Sequence, residues 1–273
     1  MSHSTDATSQ ANELSDRRQR LYRTNAIVLK RRDYAEADRL LTVFTPELGK
    51  LVLLAKGVRK TLSRKAGHVE LFTHSTFLIA RGRTWDLVTQ AETLEPFVGL
   101  RGDLLRLAFA YYVAELLDGF TEERDAHPPL FRLLRETLVR LASMDQASLP
   151  LAVRYYEMRL LSLAGYQPQL FHCVECRELL EPVTNYMSFA DGGVLCPRHG
   201  EGKVGTEALA LGLFKALRFV QASEWEQVAR LNLGQGLHRD LERLLQGYII
   251  YQLERNVRSV AFIKDLREQV AQA

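Results

Sequence analysis

The sequence predicts an α+β protein: a five-stranded β-barrel, followed by an α-helical domain that carries an inserted, cysteine-bearing element. Three observations predict it. Residues 21–97 run as short stretches of β-branched, leucine and aromatic residues cut by turn signals. From about residue 99 the apolar residues recur at spacings of three and four. The three cysteines of the chain fall together in one non-helical window. The composition, 47% hydrophobic and 25% charged over 273 residues, is that of a globular protein and excludes a disordered, collagen-like or disulfide-stapled chain. The expected organisation is a tail over 1–20, a barrel domain over 21–98 and a helical domain over 99–273, with the insert at about 166–205.

Residues 1–20 are rich in Ser, Thr, Gln and Asn, have no apolar periodicity, and are expected to form a mobile tail. They lack the apolar core of a secretory signal, and no stretch approaches the ~18 apolar residues of a spanning helix, so a soluble, cytoplasmic chain is expected. Strands are predicted at 22–30, 39–45, 50–56, 68–81 and 85–95. Pro46-Glu47-Leu48-Gly49 supplies a turn whose glycine is free to take positive φ, and Gly82-Arg83-Thr84 a hairpin loop. Within 40–44 and 51–55 apolar side chains occupy both alternation phases, so the sheet must be covered on both faces. A small barrel partly packed on helices satisfies this. The oligonucleotide/oligosaccharide-binding (OB) barrel is the leading candidate and an SH3-like barrel its competitor.

Helices are predicted at 103–119, 129–143 and 149–165. Leu130, Leu133, Leu134, Leu138 and Leu141 make one apolar face, Pro128-Pro129 marks a start and Gly165 a C-terminal cap. The non-helical insert follows, and then further helix, in which Leu237, Leu241, Leu244, Tyr248 and Tyr251 share a stripe.

Net charge is only +3, but its distribution is uneven. Residues 17–100 hold 16 Lys+Arg against 8 Asp+Glu, whereas residues 1–16 are net −3 and 101–273 net −2. Such a concentrated positive field suits a polyphosphate partner, although an anionic membrane surface would also be drawn to it. The densest run is Lys56-Gly-Val-Arg59-Lys60-Thr-Leu-Ser-Arg64-Lys65, five bases without an acid, at the end of the third predicted strand. A basic, glycine-containing loop at a barrel rim can follow a phosphodiester backbone, with Arg31, Arg32, Arg39, Arg81 and Arg83 extending the track. Tyr34, Phe72 and Trp85 are the aromatics available to stack on bases, unless they serve only as barrel packing.

The sharpest chemical signal is Cys173-Val-Glu-Cys176, followed after nineteen residues by Cys196-Pro-Arg-His199. Two short-spaced ligand pairs flanking a loop can close a tetrahedron around Zn2+. Three thiolates and an imidazole leave no position for a reacting water, so a structural zinc is expected, with His172 as the spare ligand. A deaminase reading that pairs His68-Val-Glu70 with Cys173 and Cys176 fails. The halves lie about a hundred residues apart, the proline before the second pair is missing, and its cysteines have nearer partners; His68 and Glu70 are expected to begin an ordinary strand. Gly49-Lys50 is followed by Leu51 rather than Ser or Thr, with Phe44 where a phosphate loop needs glycine, and no G-x-S-x-G elbow occurs. A non-enzyme is inferred.

Ala26-Ile-Val-Leu29, Tyr34-x-Glu36-x-Asp38, Leu40-Leu-Thr-Val-Phe-Thr45, Gly49-Lys50 and Ala55-Lys-Gly-Val-Arg-Lys60 with Ser63-Arg64 form an ordered series. Tyr156-Glu157, Leu160-Leu161, Gly165-Tyr-x-Pro168, the two cysteine pairs, Ser259 and Phe262 continue it. On these residues, spanning nearly all of 21–266, the chain resembles the bacterial RecO family of recombination mediators. The resemblance implies an OB barrel, a helical domain and, in members that keep the cysteines, an inserted zinc element. It also implies a cytoplasmic, nucleoid-associated, non-catalytic protein that binds single- and double-stranded DNA and anneals complementary strands. With RecR, and in some settings RecF, such proteins help load RecA onto DNA coated by single-strand-binding protein (SSB). The basic surface maps onto Lys56, Arg59, Lys60, Arg64 and Lys65, and the zinc ligands onto Cys173, Cys176, Cys196 and His199, where histidine replaces the more usual cysteine. The acidic, apolar SSB tail is placed on the helical domain, with Arg132, Arg135, Arg140, Arg154 and Arg159 available as basic rims. The alternative is a barrel-plus-zinc protein adaptor with incidental nucleic-acid contact; a translation or transcription factor preferring folded RNA is a third reading.

Overall fold

The computed structural model describes residues 21–272, and the side chains of 21–267; the tail expected over 1–20 lies outside them. Five strands close into a barrel in the order β1-β2-β3-β5-β4, with β4 returning to β1. They are β1 (Leu21–Tyr34), β2 (Asp38–Thr45), β3 (Gly49–Ala55), β4 (His74–Ala80) and β5 (Asp86–Glu95). Neighbours are antiparallel except β3 and β5, which run parallel. This is the Greek-key barrel of the OB fold. One long strand closes it: β1 pairs with β4 over its first half and with β2 over its second, and a register shift between Val28 and Lys30 bends it from one neighbour to the other.

Both alternation phases are buried on β1 and β2, as their hydrophobicity requires, whereas on β3 the outer phase, Val52 and Leu54, is only half-buried. Ala26, Val28, Leu41, Val43, Leu51, Leu53, Phe77, Ile79 and Val88 fill the interior, while Ile27, Leu29, Leu40 and Phe44 are buried on the outer phase. The strand predicted from residue 68 is a correction. Ala66–Val69 form a 3-10 turn whose Val69 joins the barrel core, and Phe72, buried at φ 61°, breaks the extended backbone before β4 begins at His74. His68 and Glu70 therefore do not begin a strand. Instead Thr93 N and Oγ1 both reach His68 Nδ1, at 3.2 and 2.8 Å.

The chain forms two compact units, and the division is not a single cut: Thr121–Arg135 belongs with the barrel, and Val98–Phe120 with the residues from Glu136 onward. Lys50 Nζ donates to Thr121 O at 2.6 Å and Arg124 N to Lys50 O at 2.9 Å. The ring of Phe131 lies 6.5 Å from that of Phe44 and meets His74 edge-on. Arg135 clamps Glu95 through two bonds of 2.5 and 2.6 Å, and His74 Nδ1 lies 2.7 Å from the same carboxylate. The Arg135 guanidinium lowers the pKa of Glu95, and burial lowers that of His74 despite this partner.

Gly49, the predicted turn glycine, has φ 64°, and a Cβ there would lie 1.9 Å from the carbonyl oxygen of Asp125. Backbone strain and a clash with backbone coincide, so Gly49→Ala is expected to cost about 3 kcal/mol or more in denaturant unfolding. Gly67→Ala, which meets open space, should stay within about 0.5 kcal/mol. Equal effects of the two substitutions would refute the reading.

The other unit is built on α1 (Leu104–Phe120), the later turns of α2 (Pro128–Ser143), and α3 (Leu149–Leu163), which Gly165 terminates at φ 83°. The insert contains β6 (Asn185–Ser188), β7 (Gly193–Leu195), a single turn α4 (Pro197–Gly200) and β8 (Thr206–Leu209), with sheet order β7-β6-β8. Then come α5 (Leu211–Ala222), α6 (Trp225–Val228), α7 (Gln235–Leu253) and α8 (Arg258–Gln272). On the predicted α7 stripe Leu241, Leu244 and Tyr248 are buried, whereas Tyr251 is exposed. Glu115 of α1 caps α8, accepting from Arg258 N at 2.8 Å and Ser259 N at 2.9 Å.

Candidate nucleic-acid interface and metal centre

The β1–β2 turn, the loop after β3 and the β4–β5 loop meet at one rim of the barrel. Gly57 N donates to Asp38 Oδ1 at 2.7 Å, Arg59 N to Ala37 O at 2.9 Å and Arg59 Nη1 to Glu36 O at 3.2 Å. Tyr34 stands edge-on to Trp85 with ring centroids 5.0 Å apart. β3 and β5 share only the pairs Leu53–Asp86 and Leu54–Leu87. They therefore splay, leaving a groove in which Lys56, Arg81, Arg83 and Trp85 surround Leu54 and Leu87.

The groove continues across the barrel. Arg81, its guanidinium 5.4 Å over the Tyr22 ring, also lines a depression with Arg23, Asn25 and Thr76, and Arg23 and Thr76 line a third with Arg64, Lys65 and His68. One basic track thus runs from Lys56 and Arg83 past Arg81 and Arg23 to Arg64, bordered by Glu47 and Glu92. Lys56, Lys60, Arg64 and Arg83 are exposed, and their side chains make no hydrogen bond or ion pair among the described residues.

Other predicted bases are committed to the fold. Lys65 Nζ donates to Val88 O at 2.9 Å, and burial lowers its pKa. Arg39 pairs with Asp33 at 3.0 Å and Glu70 at 3.8 Å, away from the groove, and Arg59 lies 3.5 Å from Asp33 at the rim. Phe72 is in the core, leaving Tyr34 and Trp85 as the rim aromatics. Sequence reasoning missed Arg23. Its signal was the alternation of β1, which turns Tyr22 toward the barrel core and Arg23 outward.

The cysteine pairs come together in the insert. Val194 N donates to Gln169 O and Val174 N to Val194 O, at 2.9 and 3.0 Å, laying the first pair beside β7. β7 then delivers Cys196 to the start of α4, whose one turn returns His199 toward the sulfurs. Gly193 permits this approach, since a Cβ there would sit 2.6 Å from Gln169 O. The donor atoms of Cys173, Cys176, Cys196 and His199 all lie within 4.8 Å of one another and can hold one metal ion. His199 Nδ1 is 3.2 Å from Cys196 Sγ and 3.8 Å from Cys173 Sγ. Burial raises the pKa of the Cys173 thiol, but the amides of Cys196, Cys176 and Glu175 aimed at its sulfur outweigh that and bring it down to about 6, toward the thiolate a metal needs. His172, the spare candidate, is not in the group.

Residues 19–97 match the family model described as Recombination protein O N terminal, and residues 101–261 that described as Recombination protein O C terminal. The chain belongs to the RecO family of DNA repair proteins. It is 42% identical to DNA repair protein RecO of a Roseiflexus species over 93% of this chain and 88% of the relative. To the protein of that name from Desulforudis audaxviator it is 39% identical over 90% and 97%, and to that from Dehalococcoides mccartyi 35% over 90% and 96%. The basic track lies within the RecO N-terminal match and the metal-ligand group within the RecO C-terminal match.

The helix arginines of this RecO-family chain divide. Arg154 is a correction: it is buried and bound to Glu157 at 2.7 Å, because its position on α3 faces the helix core, and it forms no surface rim. Arg135 is the clamp on Glu95, and Arg132 is exposed. Arg140 lies 4.9 Å over the Trp225 ring and Arg159 5.0 Å over that of Tyr155, and the two rings meet edge-on. Among the described residues no helix is long and apolar enough to cross a membrane.

Proposed function

We propose that this RecO-family protein is a non-catalytic, DNA-binding recombination mediator. The observation that carries this reading is the basic track from Lys56 to Arg64 on the OB barrel, with the Tyr34–Trp85 pair at its rim. The cations neutralise phosphates and the aromatic faces accept bases of any identity, so binding is electrostatic and sequence-tolerant. A track that crosses the barrel can neutralise two strands at once and lower their mutual repulsion, which is what annealing requires.

RecR and the SSB tail are the partners this reading assigns, with RecF in some settings, and RecA loading on SSB-coated strands is the outcome. Arg140 and Arg159 flanking Tyr155 and Trp225 supply the basic, apolar setting that an acidic, apolar tail needs, with Glu224 at its edge. The metal is assigned as a structural zinc. Zinc–sulfur and zinc–nitrogen bonds of ~2.3 and ~2.1 Å at a tetrahedral angle give an edge of about 3.6 Å, near the observed sulfur–nitrogen separations. The four side chains fill the coordination shell and leave no position for a substrate.

The test is binding to labelled single-stranded DNA over a salt series, beside a variant with Arg23, Lys56, Arg64, Arg81 and Arg83 changed to Ala. The slope of log affinity against log salt is expected to become shallower by ~0.7 for each phosphate that the variant no longer neutralises. An unchanged slope would remove the track from the binding surface and favour a protein adaptor.

A further inference from the structure

The basic loop holds one residue that its charge does not explain. Leu62 is 94% exposed. A lone apolar residue on a surface usually needs no account, but the setting of Leu62 is built. Lys60 N donates to Gly57 O at 3.2 Å, Ser63 N to Lys60 O at 2.9 Å and Ala66 N to Ser63 O at 3.4 Å, so the loop is three tight turns in succession. In the second turn Leu62 takes the third position. The turns fix the backbone at the leucine, and the bases flanking it, Lys60 and Arg64, are exposed with no side-chain hydrogen bond or ion pair among the described residues.

An exposed apolar side chain on a constrained backbone between two cations matches a partner with anionic edges and an apolar interior that can be opened. Duplex DNA is such a partner. Unpaired bases offer flat faces that suit the rings of Tyr34 and Trp85. A branched aliphatic chain gains most when it is dehydrated between two separated base pairs, the use made of leucine and isoleucine wedges by proteins that kink DNA.

We infer that Leu62 is a wedge that enters the base stack of duplex DNA held by the 56–65 loop. The inference rests on the barrel being a DNA-binding surface and adds to it a local unstacking of the duplex. The test uses the full chain with a duplex carrying 2-aminopurine, whose fluorescence rises on unstacking, and the corresponding single strand. The unchanged protein is expected to raise the duplex signal. Leu62→Ala should lose most of that rise and bind the duplex about threefold to tenfold more weakly, with its melting temperature and its single-strand affinity unchanged.

An undiminished rise with Leu62→Ala overturns the wedge and leaves the DNA surface standing. Equal losses on the duplex and the single strand overturn the duplex assignment. No binding of either DNA by the unchanged protein overturns the reading of the barrel itself, and the wedge with it.

Discussion

Chelation of the metal, or replacement of Cys196 by serine, is expected to unfold the insert between residues 169 and 209 and to lower the stability of the helical unit by at least about 4 kcal/mol. Besides the ion, the element is held by a small core and by a few contacts with α5 and α7, namely Arg218 over the Phe171 ring, Phe189 against Tyr248 and Tyr251, and Glu207 with Arg243. Its strands are four, three and four residues long, shorter than the usual strand of about five to six residues, and its helix is a single turn. Its buried apolar residues are few, chiefly Leu170, Leu180, Met187, Val194, Leu195 and Leu209. Without the ion, three thiols and an imidazole would crowd within 4.8 Å with only weak sulfur hydrogen bonds between them. Metal analysis should give one ion per chain, and unfolding followed by calorimetry should lose a cooperative transition on chelation.

Two variants make the assignment of ligands specific. His199→Cys completes a four-thiolate set and should retain the ion and most of the stability, whereas His199→Ala should lose both; His172→Ala should change neither. A protein that keeps its stability after complete removal of the metal would show that packing alone holds the insert. The barrel, with its own core, should keep its salt-dependent DNA binding throughout.

What the sequence discloses and what it hides follow from how local each signal is. The barrel was legible because adjacent apolar residues in strands such as 40–44 advertise burial on both faces, and turns show through Gly49 and Gly82; in 51–55 the same signal overstates it, since the outer phase of β3 stays half-buried. The metal group was legible because each ligand pair is spaced within one knuckle, and only the choice between His172 and His199 needed the third dimension. His68 and Glu70 misled because the chain there is apolar enough for a strand, while the positive φ of Phe72 is a property of the packed barrel end. The return of Thr121–Arg135 to the barrel depends on pairings between residues far apart in the chain, namely Lys50 with Thr121, Phe44 with Phe131 and Glu95 with Arg135, which no periodicity records. Arg154 misled for the opposite reason, since a charged residue on a helix is ordinarily solvated.

Arg154→Met is expected to cost about 3–5 kcal/mol at pH 8, the usual penalty for breaking a buried ion pair. Arg154 and Glu157 are 2% and 0% exposed, and Glu157 Oε1 accepts both from Arg154 Nη2 at 2.7 Å and from the Tyr112 hydroxyl at 2.6 Å. Burial pushes the pKa of Glu157 up to about 7, against the pull of Arg154 and Tyr112. The unfolded carboxyl titrates near 4.5, so between these values the native state holds more protons than the unfolded one, and this group makes stability fall as pH rises from about 4.5 to about 7. His238 on α7 acts in the other sense. Burial, and then the Arg154 cation, lower its pKa, so the unfolded state takes up protons first as pH falls through its ordinary range. Glu242, also on α7, raises both pKa values.

Removing the Arg154 cation therefore drives Glu157 further up and releases His238, and the destabilisation by Arg154→Met should be smaller at pH 5.5, where Glu157 is protonated with or without its partner. The double variant Arg154→Met with Glu157→Leu should recover most of the loss, because two apolar side chains then replace two buried charges. Denaturant unfolding at pH 5.5 and 8 decides it. A pH-independent loss in the single variant, together with a double variant no more stable than the single, would mean that Arg154 acts through shape and not through its charge.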